Sequence, residues 1–597
     1  MANDQKKIIP INYTNREFNT IKQDLLEIAE RLYPDSFQDF SEASFASLMM
    51  DTVAYVGDQL SFYLDYNVNE SFLDTAYQFN NILRHGRVLG YKFTGRPSTY
   101  GIAAFYIQVP ATSAGLGVNR SYAPILKKGS QFSSNTGLVY TLTESINFAD
   151  NKHPVVVATS DANGSPTHYA IKAYGRVVSG QMITQTVNVG SFQKFARVRL
   201  NSANISEIIS VYDSDGNEYF EVDYLAQDII YKQVSNTNYK NDNVPSILKP
   251  FLVARKFTVE RDINGVYLQF GSGKENASNV VAEPQSVAMD VFGKEYANVK
   301  TFDPTRLSEN EAFGIVPENT TLTVAMRVTN PGSSNLAARQ LNQVSKVLLD
   351  FEDTTVLSRA LMQDVRSSIE VENESPITGD VSNPNSAEIK QRIYDTFPTQ
   401  NRAVTQADYE NLAYRMHSKF GSIKRVSVQK DFDSQKRNLN MYVVSDDSFG
   451  KLVKTNSTIK RNLKIWINQY RMINDTIDIL DPYIINLGIQ FQIKTVPGAD
   501  KKVILARCVE ALGQNFGSNY YIGESVVVSD IYKILNNVPG VLDVIKARLF
   551  NKTGANYSSA TININKNLSP DGDRLIIPKN AIVEFKFKNT DFVGRAK

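Results

Sequence analysis

The first ninety residues carry apolar side chains at a helical spacing. Phe18, Ile21, Leu25, Ile28 and Leu32 recur at steps of three and four, after a capping-box pattern at Thr14–Glu17 and before Tyr33-Pro34. A second stripe starts near Ser41, and a third follows Asn69 toward Gly90. We therefore predict three amphipathic helices. Such helices bury little alone and must pack on each other, on the next domain or on another protein.

The second stripe fits both an internal core and a contact with another subunit. Three helices ahead of a β domain have few partners within their own chain, which keeps the second possibility open. The candidate interface residues on this stripe and on the third helix are Phe45, Leu48, Met49, Val53, Val56, Leu60, Phe72 and Phe79.

From Gly101 the pattern changes to a period of two, which is typical of strands. The turn dipeptides Asn163-Gly164, Asp215-Gly216 and Asn264-Gly265 separate several of these segments. The strand candidates lie at residues 104–109, 137–142, 154–158, 170–174, 192–200, 208–212, 256–260 and 266–270. The middle of the chain is therefore predicted as one or two mostly antiparallel β domains.

The last part of the chain alternates strand and helix patterns. Strands at 423–429 and 438–444 precede a helix at 455–470, and a strand at 483–495 precedes helices at 501–516 and 529–536. A sheet covered by helices on one face buries such elements well. The predicted fold class is α+β multidomain, with an N-terminal helical segment, a central mostly antiparallel β region and small C-terminal α/β domains. The expected divisions are a helical region at 1–95 that is a candidate for partner binding, β-rich domains at 96–333, a helical and loop connection at 334–422, an α/β domain at 423–480, a second one at 481–550, and a β-rich tail at 551–597.

Composition narrows the possible functions. The 597 residues are too many for one core, so we expect about three to five domains. Sixty-four basic residues nearly balance 62 acidic ones, which leaves no strong positive field for nucleic acid. The single cysteine, Cys508, excludes a disulfide framework and favours folding in a reducing cytosol. We expect no signal peptide, because the start is polar, and no membrane anchor, because no long apolar run exists.

One segment is more specific than the rest. In Val404-Thr-Gln-Ala-Asp-Tyr, Thr405 can cap a helix and Asp408 suits its positive end. Tyr409 follows at a packing position, and Gly421 can end the helix before a strand that begins near Ile423.

This segment resembles the core of the J-type baseplate wedge proteins of contractile-tailed bacteriophages. Other segments between about residues 60 and 541 match that family in the same order: the helical N-E-x-F-x-x-T-A pattern with its later G-Y, a strand that enters a G-S-x-F turn, an F-G-x-G turn, and an S-D-I segment that leads to V-P-G-V. The residues that carry these matches are Asn69, Glu70, Gly90, Gly129, Gly271, Gly273, Asp530 and Gly540. The middle loops and the tail after residue 550 match nothing in the family.

The resemblance implies a structural protein with no catalytic activity and no cofactor. Such proteins form the inner wedge ring of a virion tail baseplate around a central hub, after folding in the host cytoplasm. In the best-known branch, two copies per wedge associate with each other and with a partner that adds helices to a shared bundle. The implied partners are thus other wedge subunits, further copies of this chain and hub or spike proteins. The resemblance also implies that the second α/β domain, at 481–550, makes ring or dimer contacts.

Two alternatives remain open at this stage. The chain can belong to a phage-derived contractile injection system or a tailocin, which the sequence does not distinguish from a phage. An alternative of another class is a tail protein that binds or degrades surface polysaccharide.

Candidate chemistry is weak. Phe270-Gly-Ser-Gly-Lys274 lacks the first glycine and the final Ser or Thr of a Walker loop. The four histidines show no metal-ligand spacing, and Cys508 has no partner in a CxxC pattern. The acidic pairs Asp446-Asp447 and Asp571-Gly-Asp573 lie in turn-like contexts, which explain them better than glycoside hydrolysis does.

Overall fold

The computed structural model describes residues 17–32, 44–112, 117–202, 204–236, 246–262, 265–273, 313–330, 332–352, 354–381, 385–431, 438–517, 520–554 and 556–597. Several predicted features lie outside these ranges: most of the capping box at Thr14–Glu17, the stop at Tyr33-Pro34, Asn264 and Lys274. Contacts divide the chain into two compact units. One is Met1–Phe93 with Asn383–Asn401, and the other is Thr94–Ser382 with Arg402–Lys597.

The described helices are, in chain order, α1 (Phe18–Leu32), α2 (Phe45–Glu70), α3 (Phe79–Val88), α4 (Arg359–Ser367), α5 (Ser386–Thr399), α6 (Gln406–Tyr414), α7 (Ser457–Ile467), α8 (Lys501–Asn515), α9 (Val528–Asn536), α10 (Ile564–Asn567) and α11 (Lys588–Asp591). Short 3-10 turns lie at Arg120–Tyr122 and Ser418–Phe420.

The strands follow the same numbering. Up to residue 270 they are β1 (Tyr100–Pro110), β2 (Ile125–Leu126), β3 (Gln131–Ser134), β4 (Val139–Leu142), β5 (Ile146–Asn147), β6 (Val155–Ser160), β7 (Pro166–Ser179), β8 (Gln181–Val189), β9 (Arg197–Leu200), β10 (Ile205–Tyr212), β11 (Glu218–Glu221), β12 (Ile229–Ser235), β13 (Ser246–Leu252), β14 (Lys256–Asp262) and β15 (Gly265–Phe270). After it they are β16 (Thr320–Val328), β17 (Leu341–Lys346), β18 (Leu349–Asp350), β19 (Glu370–Glu372), β20 (Arg425–Lys430), β21 (Asn438–Asp446), β22 (Leu452–Lys454), β23 (Thr476–Leu480), β24 (Tyr483–Thr495), β25 (Val526–Val527), β26 (Val541–Asn551), β27 (Arg574–Leu575), β28 (Ala581–Glu584) and β29 (Phe592–Ala596).

The central strands form two large sheets. The first has the order β17-β3-β4-β7-β1-β19, with β6 also paired to β7, and the second has the order β8-β16-β10-β11-β14-β15-β9. Nearly all their pairs are antiparallel; β11 with β14 is parallel. Each sheet has its own buried cluster, around Phe105 and Phe132 in the first and around Phe257 and Phe270 in the second.

Two smaller mixed sheets follow. In the first, β21 pairs with β20, β22 and β23, and Leu463 of α7 is buried with Met441 of β21. In the second, β24 pairs with β26, β28 and β29, and the buried side chains of α8 and α9 join its core. The predicted fold class, α+β with helical, antiparallel β and α/β parts in that order, is confirmed.

The structure differs from the sequence prediction in three places. Gly421 does not end α6, which stops at Tyr414; it follows the separate 3-10 turn Ser418–Phe420. The third helix begins only at Phe79, because residues 71–78 form a turn around Glu70. Residues 334–422 contain β17, β18 and β19 as well as helices, and these strands pair with partners about two hundred residues earlier, or more. Their short lengths give little periodicity to detect.

Candidate protein-interaction site

Helix α2 is the longest described helix, and its ends are well defined. The Ser44 hydroxyl accepts the backbone N–H of Ser47 at 3.1 Å, which satisfies one of the free donors of the first turn. The helix continues for 26 residues to Glu70, a length of about 39 Å at 1.5 Å per residue.

Helix α1 packs on the side of α2 that carries small and polar residues. A Cβ atom on Gly57 would lie 3.2 Å from Cδ1 of Ile21, so the two backbones approach closely there. Lys22 of α1 forms an ion pair with Asp51 of α2 at 2.7 Å. A surface helix normally turns its polar side to solvent. In α2 the polar side faces α1 instead.

The opposite side of α2 is apolar and open to solvent. Its exposed apolar residues have between 49 % and 76 % of their surface accessible: Phe45, Leu48, Met49, Val53, Tyr55, Val56, Leu60, Phe62, Tyr63 and Leu64. Thr52 and Asn67 are the polar residues among the exposed positions of α2, and none of those positions is charged. At 3.6 residues per turn these positions span an arc of roughly 200°. We call this surface the apolar arc of α2.

The arc is too wide for one neighbour. A helix that packs on a core uses an apolar stripe that is typically somewhat over about 100° wide. Exposed apolar surfaces of this extent are typical of protein–protein or membrane interaction sites and of ligand-binding grooves. Covering the arc with helices would take more than one additional helix.

Seven of the eight candidate interface residues are exposed. Six of them lie on the arc, and Phe72 lies in the turn after α2. Phe79 differs: it is only partly exposed and packs edge-to-face on Phe93, with ring centroids 5.7 Å apart. The stripe pattern missed Tyr55, Phe62 and Tyr63, which extend the arc sideways; the lack of any charge between Phe45 and Leu64 except Asp51 and Asp58 was the available signal.

The family-motif residue Glu70 joins α2 to α3. Its carboxylate accepts the backbone N–H of Tyr77 at 2.8 Å and of Gln78 at 3.1 Å, and the side-chain amide of Asn81 at 2.9 Å. Burial alone would raise the pKa of Glu70, but these hydrogen bonds and the charge of Lys390 together hold it below its ordinary value. The carboxylate thus supplies the N-terminal cap that Gln78, at the N-cap position, does not.

Behind this joint lies the core of the first unit. Leu83 of α3 and Ile389 and Ile393 of α5 are buried in one cluster. A Cβ atom on Gly86 would lie 2.9 Å from Cδ1 of Ile393, which shows how closely α3 and α5 pack. Asn69 accepts the Thr75 hydroxyl through its carbonyl at 2.6 Å. The motif residues at 69 and 70 therefore hold the base of α2 on a packed support.

The Val404 segment forms the predicted helix start. The Thr405 hydroxyl accepts the N–H of Asp408 at 3.2 Å, and the Asp408 carboxylate accepts the N–H of Thr405 at 2.8 Å. Tyr409 is fully buried and donates to Asp475 at 2.7 Å. Burial is the main cause of the raised pKa of the Tyr409 hydroxyl, and its hydrogen bond to the Asp475 carboxylate raises that pKa further. Helix α6 packs against β20 and α7, and Tyr409 belongs to the buried cluster that these three elements share.

The remaining motif residues act locally. Gly90, Gly129, Gly421 and Gly540 have positive φ angles. Gly271 is required for space, because a Cβ there would lie 1.8 Å from the carbonyl oxygen of Phe313. The Gly273 N–H donates to Gly314 at 3.0 Å, and Asp530 lies in the first turn of α9. Each of these residues therefore has a local role in its own turn or helix.

Two of the four acidic candidates have local partners, and a third, Asp446, is buried 3.5 Å from Lys424. Asp447 accepts the N–H groups of Phe449 and Lys451 in a turn, and Asp573 lies 3.6 Å from Arg574. No group of three His, Cys, Asp or Glu in the described ranges has metal-site geometry. Within the same ranges, no helix is long and apolar enough to cross a membrane.

Comparison with known proteins gives one informative match. Residues 17–88 match the family model described as "Bacteriophage baseplate protein, N-terminal domain". The match spans α1, α2 and α3 and thus contains the whole apolar arc. It supports a structural protein of a baseplate. A search of curated protein sequences finds no match.

Two solved structures align with the chain at low similarity. The anti-feeding prophage baseplate aligns over 94 % of this chain and 90 % of its own, with 11 % identity and a TM-score of 0.29. The TssK-TssF-TssG baseplate subcomplex of the type VI secretion system aligns over 73 % of this chain and 96 % of its own, with 8 % identity and a TM-score of 0.24. Scores this low carry no conclusion on fold or function.

Proposed function

We propose that this protein is a non-enzymatic structural subunit of the tail baseplate of a contractile phage. In this proposal it forms the inner wedge ring around the central hub and transmits the baseplate rearrangement that triggers sheath contraction. The observation that carries the proposal is the apolar arc of α2, which lies within the segment that matches baseplate proteins.

In this proposal the arc is the surface that joins a helical bundle. Its width of roughly 200° requires at least two more apolar helix stripes, which a second copy of α2 and a helix of another wedge protein supply. Residues 1–95 would then be the partner-binding region, and residues 481–550 would make the ring contacts. The divisions at 96–333, 334–422, 423–480 and 551–597 belong to the same proposal.

The test changes the arc without changing the fold. Val53 and Val56 are about half exposed, so Val53→Glu and Val56→Glu leave the thermal stability of the purified chain within a few degrees of wild type. In cells that produce the particle, we expect either substitution to reduce incorporation into tails at least tenfold. A buried, unpaired carboxylate in the bundle costs several kcal/mol, on the order of the whole contact.

The matched control is Val88→Glu. Val88 is 87 % exposed at the end of α3, outside the arc, so it receives the same chemical change without facing the bundle. Normal incorporation of the Val53→Glu chain, or equal loss with the Val88→Glu chain, would exclude the proposed role of the arc. Turnover of host envelope polysaccharide by the purified chain would instead support an enzyme.

A further inference from the structure

The second small α/β part carries an open groove between two helices. It has a volume of about 900 Å³ and is lined by residues of α8 and α9, by described residues between these helices, and by Asn537, Val538 and Pro539 after α9. It lies far along the chain from the matched segment, which ends at residue 88.

The two helices run in opposite directions beside the groove. Near one end, a Cβ on Gly540, just after α9, would lie 2.8 Å from Cδ1 of Ile504 in the first turn of α8. Near the other end, Tyr520 follows α8 and lies close enough to Asp530 in the first turn of α9 for that charge to affect it. The floor between the helices includes the partly buried Ala511 and Ile534, and the exposed amide side chains of Gln514, Asn515 and Asn537 also line the groove.

The charges around the groove are unevenly distributed. Glu524 and Asp530 are both exposed, and both carboxylates act on the Tyr520 hydroxyl, so they share one end. Arg507 is exposed and is the first residue of α8 that lines the groove. It lies one turn after Ile504, and therefore nearer the end of the groove that is marked by Ile504 and Gly540. Glu510 and Lys533, of opposite sign, lie between them along the two helices. The groove is therefore acidic at one end and basic at the other.

We propose that this groove binds an amphipathic helix of a partner protein. The partner helix would place apolar side chains on the floor, a lysine or arginine at the Glu524 and Asp530 end and a carboxylate at the Arg507 end. A space between two antiparallel helices suits a third helix.

The test uses the full chain and three fluorescent helical peptides of equal length. All three have leucines at positions i, i+3, i+4 and i+7. One has lysines at one end and glutamates at the other, one has lysines at both ends, and one has glutamates at both ends. Fluorescence anisotropy on the wild-type chain is expected to show the tightest binding for the peptide of mixed charge.

The variant Arg507→Glu makes the groove acidic at both ends. It should weaken binding of the mixed-charge peptide about tenfold and strengthen binding of the peptide with lysines at both ends. Misfolding would not produce this reversal of preference. The control is Lys502→Glu, an exposed position of α8 that does not line the groove, and all three affinities should stay within twofold.

Several results would overturn this proposal: no binding of any peptide, equal binding of all three, or equal effects of the two variants. A change in the sedimentation coefficient of the chain itself with Arg507→Glu would show that the groove holds a second copy instead. Because these measurements need no particle, their failure is separable from a failure of the tail-incorporation test.

Discussion

The carboxylate of Glu70, the last residue of α2, accepts the backbone N–H of Tyr77 at 2.8 Å. This bond closes the turn between α2 and α3, and it joins the end of α2 to the packed core of α3 and α5. Glu70→Ala removes the acceptor for three donors, so we expect a loss of about 2–3 kcal/mol in the stability of the first unit. Hydrogen exchange at the amides of Tyr77 and Gln78 would measure it.

The comparison variant is Glu70→Gln, which keeps one carbonyl oxygen in place and should lose about half as much. Because the folded-state pKa of Glu70 is lowered, its stabilising effect is complete above the unfolded pKa near 4.3 and is lost as pH falls through the folded value. Equal protection of both amides in the wild-type and Ala variants would show that the turn does not depend on Glu70.

The ionisation of Asp446 should change the free energy of unfolding with pH in the direction opposite to that of Glu70. Burial raises the pKa of its carboxyl to about 6, the charge of Lys424 at 3.5 Å offsets this only in part, and the charge of Asp380 adds to it. The group thus stabilises the fold fully below the unfolded pKa near 3.9, and this contribution is lost as pH rises through 6. At pH 8 we expect Asp446→Asn to be more stable than wild type by about 2 kcal/mol.

Thermal unfolding at pH 5 and at pH 8 would test this, with Asp447→Asn as control. Asp447 holds the adjacent turn through its carboxylate, so its replacement should lower stability about equally at both pH values. An Asp446→Asn chain whose Tm differs from that of wild type by the same amount at both pH values would contradict the predicted ionisation.

The capping box of α6 allows a prediction about local stability. Thr405→Ala removes the side-chain acceptor for the N–H of Asp408, and we expect a loss of about 1 kcal/mol. Thr405→Ser keeps the hydroxyl and should lie within about 0.5 kcal/mol of wild type. Thermal denaturation of the three chains would show the ranking; an alanine variant as stable as the serine variant would argue against the cap.

The substitution Gly271→Ala tests whether the F-G-x-G turn needs the small size of glycine or its backbone conformational freedom. A Cβ at this position would lie 1.8 Å from the Phe313 carbonyl oxygen and 2.5 Å from that of Gly314. Gly271→Ala should therefore cost about 3 kcal/mol or more, because backbone must move. Soluble yield and Tm would be compared with Ser272→Ala, which keeps the turn; similar values for both variants would disprove the close approach.

Much of the secondary structure follows from the sequence. The strand at Tyr483–Thr495 and the helix at Lys501–Asn515 are found almost where their periodicity predicts them, because each carries a long and regular apolar pattern. The cap at Thr405 is also predictable, because its partners lie within three residues.

The arrangement of these elements is less predictable. The pairing of Phe105 in β1 with Val371 in β19 joins segments far apart in sequence, and no local pattern encodes it. The stripe on α2 indicates an apolar face but not which side α1 covers. That choice depends on the close contact at Gly57 and the ion pair of Lys22 with Asp51, which are tertiary features.

Thiol labelling of Val56→Cys tests the central claim most directly. The native Cys508 is fully buried and burial raises its pKa to about 11, so the introduced thiol is the reactive one. We predict rapid maleimide labelling in the purified chain and at least tenfold slower labelling in intact tails, where neighbouring helices cover the arc. Equal labelling rates in the free chain and in assembled tails would contradict the account.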